Sequence, residues 1–150
     1  MEELLTEEQL HKKTPEELTT LLYSACIENL EQAKVEINNT NYHNANLLLQ
    51  KTNDILYRLG AGINYEAGPV SDQLEIMYNY MAEKLIQANI TKSNMLIDEV
   101  LVIIRIINDA WIEAMNKATE GTNVNIKVKN KVSAYDQDYT NSYNDVNLKK

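Results

Sequence analysis

Along most of this chain apolar side chains return every three or four residues, the spacing of one face of an α-helix. Leu18, Leu21, Leu22, Ala25, Leu30, Ala33 and Ile37 make the first such stripe, and the pattern assigns Leu21 to the core side. Its start is marked by Thr14-Pro15-Glu16-Glu17. Thr14 suits the N-cap, Pro15 the first helical position, and Glu17 closes a capping box at the positive helix end. The Asn38–Asn41 cluster reads as a turn. A second stripe, Ala45, Leu48, Leu49, Thr52, Ile55, Leu56 and Leu59, runs to Gly60-Ala61-Gly62. The third begins near Val70-Ser71, carries Leu74, Met77, Tyr78, Met81, Leu85 and Ala88, and stops between Asn89 and Asn94. Ser93 or Asn94 then caps a fourth helix. That helix has two stripes, Leu96, Val100, Ile103, Ile107, Trp111 and Ala114 on one side and Ile97, Leu101, Ile104 and Met115 on another. Two stripes require two partners.

Within the fourth helix lies Val100–Ile107, "VLVIIRII", the most hydrophobic run of the sequence. It is far shorter than the ~20 apolar residues of a membrane span, it contains Arg105, and acids flank it. Its β-branched residues suit a strand. No Gly or Pro interrupts Lys92 to Thr119, however, which favours one long helix. The pattern therefore predicts an all-α protein, an antiparallel four-helix bundle over residues 14–119. A short N-terminal helix with Leu4, Leu5 and Leu10 is expected within residues 1–13. Residues 120–150, rich in Asn, Lys and Tyr, are expected to form a tail, partly disordered or docked. In this tail Val124, Ile126 and Val128 alternate like a strand, whereas Tyr135, Tyr139 and Tyr143 step by four and would share one face of a helix with Val132 and Val146.

Composition narrows the function. The net charge of -8 repels phosphates and anionic lipid, so nucleic acid and membrane surfaces are poor partners and a protein is the better one. The opening MEELLTEEQL lacks the basic and hydrophobic regions of a secretory leader, which predicts a cytoplasmic location. The lone Cys26 sits among helical residues and reads as a small core side chain. Helical bundles hold di-iron centres through Glu-x-x-His pairs. Only Glu8 to His11 has that spacing, and His43 has no Glu three residues earlier. No phosphate-binding glycine loop is present. The sequence thus offers no catalytic residues, no metal site and no cofactor, and predicts a protein that is not an enzyme.

Three blocks taken together resemble a known family. They are TPEELTTLLYSACIENLEQA (Thr14 to Ala33), LEIMYNYMAEKLIQAN (Leu74 to Asn89) and LIDEVLVIIRIINDAWIEA (Leu96 to Ala114). In their order and spacing they are similar to the FliS family of flagellin-specific export chaperones, with Leu22-Tyr23, Met77-Tyr78-Asn79-Tyr80-Met81, Leu85-Ile86-Gln87-Ala88-Asn89 and Ala110-Trp111 at matching positions. The resemblance implies a helical bundle that binds the C-terminal segment of flagellin in the cytoplasm, prevents premature polymerisation and delivers the subunit to the export apparatus. A client of this kind would be held by a helix-in-groove contact. The expected groove walls are Ile76, Met77 and Tyr80 on the third helix and Ile97, Leu101 and Ile104 on the fourth, while Tyr78, Met81 and Trp111 are assigned to the core. The N-terminus carries no Tyr, where relatives have a tyrosine-bearing segment that covers the empty groove. This departure motivates an alternative, a helical adaptor or regulator of the same fold with a different client. It also leads to the expectation that the tyrosine stripe of the tail docks on the groove, in cis or onto a second copy in a homodimer.

Overall fold

In a computed structural model, residues 12–63 and 68–124 are described, 120–124 as backbone only. The chain forms α1 Pro15–Asn38, α2 Tyr42–Ala61, α3 Pro69–Thr91 and α4 Asn94–Val124. Among the described residues there is no strand. The helix within residues 1–13 and the tyrosine stripe of the tail lie outside them.

Local chemistry fixes the helix ends where the sequence predicted them. The Thr14 hydroxyl accepts from the Glu17 N–H at 3.0 Å, and the Glu17 carboxylate accepts from the Thr14 N–H at 3.0 Å, a capping box of the kind that contributes about 1 kcal/mol. At the other end of α1, Glu36 accepts from the Gln32 and Asn41 amides, both at 2.9 Å. These two bonds hold its carboxyl below the usual range. Of the two candidate caps for α4, Ser93 is used: its hydroxyl accepts from the Leu96 N–H at 3.2 Å. The last helix continues past Thr119 to Val124. A single Gly121 costs a helix only about 1 kcal/mol and does not stop it.

Each helix packs on two others, α1 and α3 both against α2 and α4. Cross-links between α1 and α4 run in opposite directions along the two helices. Asn38 meets Asn94 at 2.7 Å, Lys34 meets Asp98 at 2.6 Å, Arg105 pairs with Glu31, and the Trp111 indole N–H donates to the Thr20 hydroxyl at 2.8 Å. The result is an up-down-up-down bundle. Leu30, Leu49, Met81, Leu85, Ile97 and Ile104 are among its fully buried side chains, each worth roughly 1.5–3 kcal/mol by removal from water. Cys26 is buried, as its helical setting suggested, and burial pushes its thiol up to about 12. Tyr78 and Met81 are in the core and Trp111 packs against it. The Tyr23 and Tyr78 hydroxyls share a hydrogen bond of 2.6 Å across the bundle, so two large rings are enclosed without stranding their polar ends.

One assignment is corrected. Leu21 is only half-buried, and Leu22, Tyr23, Cys26 and Leu30 take the inward face of α1.

Candidate functional site

The structure separates the six residues expected to line a groove. Ile76 and Tyr80 are exposed on α3, at 66% and 41% of their free surface, and Met77 is partly buried against the core. Ile97, Leu101 and Ile104 are instead interior, with Ile97 and Ile104 at 0%. The expectation fails for these three because both apolar stripes of α4 already have partners inside the bundle, α1 on one side and α3 on the other.

Residues that sequence reasoning passed over take their place. Val102 and Ile106 are 59% and 64% exposed. The signal was present in the run Val100–Ile107: a stretch apolar at seven of eight positions cannot turn every side chain inward on a helix with about 100° per residue, so a third face had to remain outside. The register between α3 and α4 is fixed at Glu99. Its carboxylate accepts from the Tyr80 hydroxyl at 3.3 Å and lies 3.9 Å from the Lys84 ammonium, which in turn stands 5.4 Å from the centre of the Tyr80 ring. From that clip, steps of three and four residues lead along α4 to Val102 and Ile106, while a step of four leads back along antiparallel α3 to Ile76. Ile76 and Tyr80 on α3 and Val102 and Ile106 on α4 are thus exposed apolar side chains on the two helices that Glu99 joins.

The neighbouring α1–α4 seam is ionic. Lys34 bridges Asp98 at 2.6 Å and Glu31 at 3.8 Å, and Glu31 also pairs with Arg105. The hydrogen bond that it donates to Asp98 chiefly holds the Lys34 ammonium above its usual range, against some desolvation. The α2–α3 seam is different again, a groove lined by Asn53 and flanked by Tyr57, Ile86 and Ile90.

None of these surfaces brings together a nucleophile and a base, and among the described residues no three His, Cys, Asp or Glu side chains gather as metal ligands would. No described helix is long and apolar enough to cross a membrane. The chemistry on offer is apolar area beside a polar clip, which suits the capture of another chain.

Residues 3–118 match the family model described as flagellar protein FliS. Over 102 residues the chain is 32% identical to the flagellar secretion chaperone FliS of Bacillus subtilis (strain 168), covering 68% of this chain and 76% of that one. It is 30% identical over 104 residues to the flagellar secretion chaperone FliS of Vibrio cholerae, covering 69% and 76%. It is also 26% identical over 106 residues to the flagellar secretion chaperone FliSB of Pseudomonas aeruginosa, covering 70% and 84%.

Proposed function

The chain belongs to the FliS family, and on that premise we propose that it is a cytoplasmic export chaperone that binds the C-terminal segment of flagellin and keeps it from polymerising before export. The observation that carries this reading is the strip of Ile76, Tyr80, Val102 and Ile106, an apolar surface left outside a bundle whose core is already complete. Exposed apolar area of this kind marks a binding face. The names of the relatives, all flagellar secretion chaperones, supply the class of client.

The mechanism is masking. A flagellin terminus assembles through an amphipathic helix, and that helix buries the same apolar side against the strip that it would otherwise offer to a neighbouring subunit. Tyr80 gives the strip apolar area with a polar tip, and Met77 beneath it adapts to the client side chain above. The Lys84–Glu99 pair sits beside the strip and sets its polar edge. Binding alone performs this task, without a catalytic step or a cofactor.

Titration calorimetry tests it. A peptide from the C-terminus of a flagellin of the same genome is expected to bind with micromolar or better affinity, about 8 kcal/mol. Absence of binding to every flagellin of that genome overturns the reading, and favours the helical adaptor with another client.

A further inference from the structure

Charge is spread unevenly over the four helices. α1 carries five glutamates against Lys34, a net of -4, α3 three acids against Lys84, a net of -2, and α4 five acids against Arg105 and Lys117, a net of -3. Among the described helices only α2 is positive, at +1, with Lys51 and Arg58 against Asp54. The same helix bears Tyr57, exposed at 84%. Asp54, Tyr57 and Arg58 share one helix face, and all three are exposed. A helix brings side chains four residues apart within reach of each other, yet Asp54 and Arg58 form no ion pair among the described residues. Beside Tyr57 lies a hollow of about 300 Å³ between α2 and α3, lined also by Leu56, Ala61, Tyr78 and Ala82. The function proposed above leaves this face unused, since α2 lies diagonally across the bundle from α4, each packing on α1 and α3.

We propose that the α2 face binds a second copy of this chain, the two α2 helices running antiparallel about a twofold axis level with Leu56. In such a pair a residue two positions before the axis meets the residue two positions after it. Asp54 of each copy therefore meets Arg58 of the other, and the contact holds two identical ion pairs, as an isologous interface requires. Tyr57 stands one position from the axis. The hollow beside it is walled on α2 by residues from Asn53 to Ala61 and so is centred on the same level, where the ring of the other copy can enter it. Glu75 on its α3 wall is exposed and offers the entering phenol a carboxylate acceptor.

Electrostatics selects this face over the other three. Two copies of a chain at -8 repel each other, and the repulsion is least where the local charge is not negative. Contact through α1, α3 or α4 would bring two acidic helices together. On α2 acid and base are both present, both unpaired, and in the order that a twofold axis complements. One helix face buries less than the ~800 Å² per partner of a standard interface, so a weak dimer is expected, with a dissociation constant between about 1 μM and 1 mM. Val102 and Ile106 of both copies stay on the outer sides of the pair, because α4 faces away from α2.

Sedimentation velocity of the full chain over a range of concentrations, with a charge exchange across the axis, decides the matter. Asp54→Arg and Arg58→Asp each set like charges against one another, and each is expected to weaken self-association about tenfold or more. Mixed in equal amounts, the two variants oppose only unlike charges at these positions, and they are expected to associate with each other at least as tightly as the native chain with itself. Tyr57→Ser is expected to weaken association about tenfold. All three positions are exposed, so circular dichroism should show the native helix content in every variant. A native chain that stays monomeric up to about 1 mM overturns the proposal. Undiminished self-association of both charge variants overturns this face in favour of another, and a mixture no tighter than its components overturns the antiparallel pairing. A Tyr57→Ser chain that associates like the native one overturns the entry of the ring into the hollow. No measurement here uses a client, so its outcome is independent of flagellin binding.

Discussion

The two seams that α4 makes with its neighbours are built from adjacent stretches of the same helix and yet differ in kind. Toward α1, Asp98 and Arg105 are engaged with Lys34 and Glu31, and the seam is closed by charge. Toward α3, Glu99 holds Tyr80 and Lys84, and Val102 and Ile106 further along α4 stand in solvent. Exposed ion pairs contribute little stability because water already solvates each charge, so the ionic seam adds specificity of pairing more than energy. An apolar strip in water gains from being covered. One side of α4 is therefore finished within the chain, and the other keeps apolar side chains in water.

The largest effect should come from beneath both seams. Ile104 is fully buried in the core, and Ile104→Ala is expected to cost about 2–5 kcal/mol through lost contacts and a cavity. Ile104→Asp, which buries an unpaired carboxylate, should prevent folding altogether. Chemical denaturation followed by circular dichroism measures both. A cost below about 1 kcal/mol for the alanine variant, the range of surface changes, would return Ile104 to the surface, where the sequence first suggested it belonged.

Next in size is the apolar seam itself. Ile106→Asp and Ile76→Asp change residues that are about two-thirds exposed, and surface changes of this type alter stability by no more than about 0.5 kcal/mol. Client affinity is expected to fall at least tenfold, about 1.4 kcal/mol. If calorimetry shows equal loss for Arg105→Gln on the ionic seam, the distinction between the seams has no functional meaning.

How much of this was legible beforehand depends on the range of the interaction. Helix starts were readable because capping is local: Thr14 with Glu17, and Ser93 with Leu96, lie three residues apart in sequence. Ile76 and Tyr80 were found as exposed residues because α3 has one main stripe, and they fall off it. The same logic failed on α4. A helix apolar nearly all round does not say which sides are inside, and the answer came from α1 and α3 together, which cover Ile97, Leu101 and Ile104 and leave Val102 and Ile106 out. The Glu31–Arg105 pair, 74 positions apart in sequence, had no local signal.

The smallest expected effect is the alkaline response of the ionic seam, which needs a background free of a larger one. Cys26 is raised to about 12 by burial, so its thiol adds stability that is complete below the ordinary value near 9 and is lost as pH climbs from there toward 12. Cys26→Ala removes that contribution at the cost of a small cavity. Lys34 is also raised, chiefly by its hydrogen bond with Asp98. The bridge is therefore fully present below the ordinary lysine value of 10.5 and disappears as pH rises through the higher folded value. At pH 8, Asp98→Asn in the Cys26→Ala background should cost about 0.2–1 kcal/mol, since both partners are solvent-accessible and screened. That difference should shrink with added salt and close in strong alkali, once the pH has passed the raised folded value and the ammonium is lost. Flagellin affinity at pH 8 is expected to be the same with and without the Asp98→Asn change. A gap that persists into strong alkali, or a client affinity that follows the bridge, would mean that the ionic seam also belongs to the binding surface.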